Sequence, residues 1–320
     1  MLFSALLILG LVTRQAVVAP TVPTEAAIKV VAGNDVVADL VRAIAGQDVE
    51  LFVLGQGADP HHYEPTPADA KKIESADLVI EFGLGLDRAM GKLHRSTGSK
   101  AKLLVVAEGL AKKGSDAAVT DHADHADHAD HADHDHNHDH GSSAVDPHIW
   151  HDPSQVRILN ERICAALVAA RPTSAESFRS RSVELDTQLV KLDEWIKAQV
   201  LLIPESKRLL VTTHDGLQSF GNRYGFRVVG IEMTSDGADV APSQLIKMVN
   251  ALRETKSAVV FGDAAHHSRI AATVAREANV RLIETLRLDS LLQPPAVEQG
   301  KAYLETMRLN VNTIVKALQD

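Results

Sequence analysis

The chain has 320 residues, 45% hydrophobic and 23% charged, which is enough to bury the cores of two domains. Its formal net charge is −9, but seven of the 42 acidic residues fall in one histidine-rich run; without them 33 basic residues face 35 acidic ones. A folded part so near neutrality excludes a surface built for nucleic acid or for an anionic membrane.

Residues 2–12 form a continuous apolar run, too short to span a bilayer but right for the hydrophobic region of a signal peptide. Small residues at 16–20 suit cleavage, although no Lys or Arg precedes the run. Residues 1–24 are therefore expected to be a signal peptide, and the mature protein to be exported to the periplasm. The only cysteine is Cys164, set in an apolar helical pattern with Ile163, Leu167 and Val168. No lipid anchor and no intramolecular disulfide are expected on that count.

From residue 28 short β-rich runs alternate with amphipathic helical patterns. Strands are expected at 28–32, 49–54, 78–82 and 103–107. Asn34 is placed to cap a helix carrying Val36, Val37, Leu40, Val41 and Ile44 on one face, with Gly46 ending it. Further helices are expected at 68–75 and 86–95. Such a rhythm argues for a parallel sheet with helices on both faces.

Residues 112–144 break the rhythm. From Asp121 to His140 the chain is a run of Asp-His-Ala repeats that tightens to Asp135-His136-Asn137-His138-Asp139-His140, and it holds eight of the sixteen histidines. It has no apolar face to bury and reads as a disordered loop. Density of this kind points to a transition metal as the ligand. Pro153 then opens a helix to 170, and a long pattern follows over 174–202 with Leu185, Leu189, Leu192, Trp195, Ile196 and Val200 at helical spacing. That helix would span roughly 40 Å.

The β/α rhythm restarts with strands at 208–213, 227–231, 258–262 and 280–283. Helices are expected at 217–224, 243–255, 267–278 and 298–318. The expected fold is α/β: two lobes, each a parallel sheet flanked by helices, bridged by one long rigid helix. Its boundaries are 25–172 for the first lobe, 173–203 for the linking helix and 204–320 for the second lobe.

Ligands of α/β lobes sit at the carboxyl ends of strands. Four candidate metal ligands fall there: His61 in Asp59-Pro60-His61, His148 in Asp146-Pro147-His148, His214 after the strand 208–213, and Asp289 after the last strand. Any one of these alone is ordinary cap or turn chemistry. Repetition of the tripeptide, a third strand-end histidine and the histidine-rich run shift the reading to a metal site in the cleft between the lobes. His62 and His151 are expected to aim away from it, and Glu64, Asp152 and Asp215 are candidates to accept the second N–H of a ligating imidazole. His94 is expected at the surface, and His266-His267 to cap the helix that follows.

The chain resembles the metal-binding solute-binding proteins of ABC importers for zinc and manganese, from residue 28 to 318. The carriers are Gly57-Ala58-Asp59-Pro60-His61 with Tyr63-Glu64-Pro65-Thr66-Pro67, Ala76-Asp77-Leu78-Val79-Ile80 with Gly83-Leu84-Gly85-Leu86, and Asp146-Pro147-His148-Ile149-Trp150 with Asp152-Pro153. Thr213-His214-Asp215 with Tyr224-Gly225, and Leu288-Asp289-Ser290 with Tyr303-Leu304-Glu305-Thr306-Met307 and Asn310, complete the set. The resemblance implies the ligands His61, His148, His214 and Asp289. At the third position zinc-type members carry His and manganese-type members often Glu; here it is His214. The chain keeps the fourth carboxylate and cannot form the second-lobe disulfide of some zinc members.

Three imidazoles and a carboxylate suit tetrahedral Zn²⁺, whereas Mn²⁺ prefers more oxygen; copper or nickel would also bind such a set tightly. The expected function is capture of Zn²⁺ outside the cytoplasmic membrane by a monomer that delivers it to an ABC permease. A periplasmic metallochaperone is a further possible partner, and no nucleic acid is expected. The alternatives are a zinc-dependent hydrolase, a metal store, or a manganese-specific binding protein or adhesin of the same family. A hydrolase would want an open coordination position and a general base, and the chain lacks His-Glu-x-x-His.

Overall fold

The computed structural model describes residues 26–57, 59–110, 146–231, 241–265 and 268–319. The expected signal peptide, the histidine-rich run and His266-His267 lie outside the described residues.

Asn34 accepts the Val37 backbone N–H at 3.0 Å and starts helix α1 (Asp35–Ala45), and Gly46, at φ 60°, ends it. Val36, Val37, Leu40, Val41 and Ile44 lie buried along the helix. Helix α1 follows strand β1 (Ile28–Ala32) and leads to β2 (Val49–Val53). Thr66 and Asp69 form a capping box at the start of α2 (Pro67–Glu74). Strands β3 (Leu78–Glu81) and β4 (Lys102–Val105) flank α3 (Arg88–Thr97) and complete a parallel sheet of order β2-β1-β3-β4. Helix α3 begins two residues later than its apolar pattern suggests. The Asp87 carboxylate accepts the Phe82 and Gly83 N–H groups, at 2.7 and 3.0 Å, and shapes the preceding turn.

The second sheet repeats the first. Strands β5 (Leu209–Thr212), β6 (Arg227–Gly230), β7 (Val259–Asp263) and β8 (Arg281–Leu286) lie parallel in the order β6-β5-β7-β8. Helices α6 (Gln218–Tyr224), α7 (Pro242–Glu254) and α8 (Arg269–Ala278) connect them, and α9 (Ala302–Gln319) closes the chain. The final helix starts later than 298 because Asp39, on α1, accepts the Gly300 and Tyr303 N–H groups at 2.9 Å each. A side chain from the other lobe thus caps α9.

Helices α4 (Pro153–Ala170) and α5 (Ala175–Val200) join the lobes. The 26 residues of α5 measure about 39 Å and pack on α4, α1 and α9, which come from both halves of the chain. One hydrophobic cluster runs from Val30 and Ile80 through Leu189 and Leu192 to Phe261 and Met307. A core shared in this way resists independent rotation of the lobes. Among the described residues no helix is long and apolar enough to cross a membrane.

Candidate metal centre

The segments that follow β2, β5 and β8 and the turn that precedes α4 converge between the lobes, and each holds its side chain by a local device. After β2 the chain turns through Gly55 and Gly57, at φ 55° and 73°, a region that favours glycine. The Tyr63 ring packs so close over Gly55 that a Cβ there would meet its Cδ2 at 2.6 Å. Asp59 Oδ1 then accepts the His61 backbone N–H at 2.8 Å. The second Asp-Pro-His repeats the turn: Asp146 Oδ1 accepts the His148 backbone N–H at 2.9 Å. The same oxygen also takes the His148 ring Nδ1–H at 2.7 Å.

His214 follows β5, where Thr213 donates its N–H to the Phe261 carbonyl and Gly216 donates to the His214 carbonyl. A Cβ at Gly216 would stand 3.3 Å from the His214 ring and 3.5 Å from that of His148, so glycine leaves these imidazoles their space. Asp289 is held from two sides. Asp263, at the end of β7, accepts the Leu288 and Asp289 N–H groups at 2.6 and 3.4 Å. The Leu288 carbonyl accepts Trp150 Nε1–H at 3.1 Å and His151 Nε2–H at 3.0 Å. The turn that carries His148 therefore grips the loop that carries Asp289.

One ligand atom from each of His61, His148, His214 and Asp289 lies within 4.8 Å of all the others. His148 Nε2 is 3.0 Å from His61 Nε2 and 3.1 Å from His214 Nε2. Asp289 Oδ1 is 3.0 Å from His148 Nε2 and 3.6 Å from His61 Nε2, and Oδ2 is 3.4 Å from His214 Nε2. Ligands about 2.0–2.1 Å from a tetrahedral ion stand about 3.3 Å apart, so these separations are of coordination size.

Asp289 Oδ1 is buried and makes no well-directed hydrogen bond among the described residues, although His148 Nε2 is 3.0 Å away. Three ring nitrogens crowd onto this oxygen, with His61 and His214 both within hydrogen-bond distance of the single Nε2 of His148. Protons shared among the imidazoles leave Asp289 Oδ1 unsatisfied, and a divalent cation among the four atoms satisfies them all.

Without an ion the same cluster holds a proton that a cation must displace. Burial alone would depress the His148 pKa, but the hydrogen bond to Asp146, the close approach of Asp289 and the charges of both carboxylates outweigh it and lift it to about 9. Burial pushes the Asp289 carboxyl up, yet the His148 and His61 contacts hold it far below the usual carboxylate range. Burial, together with the neighbouring imidazoles, lowers His214. Burial and the charge on His148 depress His151 to about 4, so it stays neutral as a donor to Leu288. The side chains of His61 and His214 remain 24% and 39% exposed, against 3% for His148 and 6% for Asp289, so the ion enters on their side.

The surrounding residues differ from expectation in places. Asp146, not Glu64, Asp152 or Asp215, accepts an imidazole N–H. Asp152 instead takes the Ser154 N–H at 2.8 Å and reaches Arg223 at 3.5 Å, while Asp215 accepts from Gln218 at 3.2 Å and Glu64 is exposed. Asp146 was visible in the motif, two residues before the ligand. His62 turns to Asp59, 2.6 Å away, with its side chain 86% exposed. His94 is half-buried on the Ala101 carbonyl at 3.0 Å rather than free at the surface. The grip of Trp150, His151 and Asp263 had no signal in the sequence.

A family model described as "Zinc-uptake complex component A periplasmic" matches residues 30–317. The manganese-binding lipoprotein MntA of Bacillus subtilis is 30% identical over 298 residues, 91% of this chain and 90% of the relative. The manganese ABC transporter substrate-binding lipoprotein PsaA of Streptococcus anginosus is 28% identical over 292 residues, covering 91% and 89%. Among solved structures, the periplasmic zinc binding protein TroA from Treponema pallidum matches with a TM-score of 0.74 at 24% identity, covering 91% of this chain and 99% of that one. These similarities correct one expectation. Both sequence relatives are named lipoproteins, which overturns the reading of a periplasmic protein without a lipid anchor. That reading rested on the place of Cys164, far from the apolar run at 2–12. The family model takes in all four converging side chains, and the chain belongs to this family of periplasmic solute-binding proteins, as the metal-binding component of an ABC metal importer that works with a permease and its ATPase, and not as an enzyme.

Proposed function

We propose that the cargo is Zn²⁺, bound by Nε2 of His61, His148 and His214 and by the Asp289 carboxylate. The donor set carries this reading. Three convergent imidazoles and one carboxylate suit a tetrahedral ion, and Mn²⁺ stands at the weak end of the affinity series for such a site. His214 occupies the position where an oxygen ligand would favour manganese. Equilibrium competition on metal-free protein tests the proposal: Zn²⁺ should exclude Mn²⁺ at equal concentration, and displacement of zinc by manganese would overturn it.

Manganese is the second reading. The relatives are named for it, and Asp289 turns Oδ1 toward His148 and Oδ2 toward His214, so a second oxygen lies within reach of the ion. The same competition decides between the two.

In this reading residues 25–172 and 204–320 are the lobes that share the ion, 173–203 is the stiff link, and the protein acts as a monomer. The run from Asp121 to His140 gathers zinc weakly or receives it from a metallochaperone, because closely spaced histidines without a fixed frame collect metal but do not preorganise it. Deleting the run should leave one tight site and slow its loading. Loss of the tight site on deletion would end this division of labour.

A further inference from the structure

Asp35 and Gln293 lie 258 residues apart and meet through a hydrogen bond. Gln293 Nε2 donates to Asp35 Oδ2 at 2.8 Å. The Asp35 carboxylate also accepts the Gly57 backbone N–H, at 3.2 Å to Oδ2 and 3.4 Å to Oδ1. Gln293 Oε1 in turn accepts from Gln56 Nε2 at 3.3 Å. Gly57 stands four residues before His61, and Gln293 four residues after Asp289. A single carboxylate at the first turn of α1 therefore ties the loop of the first ligand to the loop of the fourth.

The two loops are held by different contacts. The Asp289 loop is gripped by Asp263, Trp150 and His151, whereas the His61 loop is tied through the Tyr63 hydroxyl to Asp69 on α2 and through its Gly57 N–H to Asp35 on α1. Asp35 itself is 7% exposed and fixed in the first turn of α1, so it is a rigid anchor rather than a mobile surface group. His61 is one of the two more exposed ligands, on the side where the ion must pass.

We propose that Asp35 and Gln293 act as positioning residues, a polar latch that holds the His61 loop against the Asp289 loop and thereby sets how fast the bound ion leaves. The inference rests on the assignment of His61 and Asp289 as ligands. Neither latch residue touches the ion. Breaking the latch lets the His61 loop swing out, which speeds dissociation; capture depends on the open side of the cleft and changes little.

The test measures zinc release into an excess of chelator from the full chain loaded with one ion. Gln293→Leu keeps the bulk and removes the donor; it should release zinc about tenfold faster, with the association rate within about twofold of wild type. Gln293→Lys restores a donor opposite the Asp35 carboxylate and should return release to near the wild-type rate, a recovery that a space-filling role would not produce. Should Gln293→Leu not fold, Gln293→Ser carries the same expectation. Release within twofold of wild type in the folded variant, or no recovery with lysine, overturns the latch while leaving the metal centre in place. A chain that keeps its tight zinc site after His148 and His214 are both replaced by alanine overturns the centre and the latch together.

Discussion

Asp146 receives two hydrogens from one residue: the backbone N–H of His148 at 2.9 Å and its ring Nδ1–H at 2.7 Å, both on the same oxygen. A carboxylate can only accept, so Nδ1 keeps its proton and Nε2 is the nitrogen that faces the three other ligands, where an ion takes the place of the Nε2 proton. His148 is also the ligand that stands within about 3 Å of the other three. Replacing Asp146 by Ala should weaken metal binding about 10- to 100-fold while keeping one ion per chain. Calorimetric titration against a competing chelator gives both numbers.

Metal should hold the two lobes together, since two ligands come from each. Zinc at about a thousandfold excess over its Kd should add about 4 kcal/mol to the stability of the folded state, and a chelator should remove it. His214→Ala should abolish the gain and leave the melting temperature of the metal-free protein almost unchanged, because its side chain is 39% exposed. Thermal melts with and without zinc read both effects.

Trp150 is 2% exposed; it donates to the Leu288 carbonyl and receives the Tyr303 hydroxyl on its own carbonyl at 2.7 Å. Its ring meets Phe82 edge to face, with centroids 5.2 Å apart. Trp150→Phe should preserve much of that packing and lose the indole N–H, at a cost of about 1–3 kcal/mol in denaturant unfolding. Zinc affinity should fall by a few-fold in the same variant, since His151 alone then holds the Leu288 carbonyl.

Glu81 lies half-buried at the end of β3, and burial followed by the charge on Asp87 raises its pKa from 4.5 to about 7. The folded chain thus keeps a proton that the unfolded chain gives up near pH 4.5. Stability must therefore fall as pH rises from about 4.5 to 7 and stay low above it. The full shift would be worth about 3 kcal/mol, and solvent screening of a half-exposed group reduces this to roughly 1–2. Glu81→Gln should flatten that slope and stabilise the protein at pH 8. Unfolding midpoints of both proteins at pH 5 and pH 8 measure it.

Much of the fold is legible in the sequence because its signals are local. Asn34, Gly46 and Pro153 mark helix ends, and apolar runs such as 78–82 mark buried strands, since capping and period depend on residues a few positions apart. The candidate ligands are legible for the same reason: each stands in a short motif at a strand end. Asp87 and Asp39 show the limit. Each moves the start of a helix by accepting backbone N–H groups, and in the case of Asp39 those groups lie more than 260 residues away.

The sequence alone determined the α/β rhythm, the doubled Asp-Pro-His and the identity of the side chains that can hold a metal. Only the tertiary structure decided that His61, His148, His214 and Asp289 share one centre, that Trp150 and His151 grip the carbonyl before the fourth ligand, and that Asp35 meets Gln293. The reason is physical. Capping and periodicity are interactions between near neighbours and leave a mark in the order of residues, whereas a hydrogen bond across 258 positions requires only that both groups be polar and that the packed lobes bring them within 3 Å.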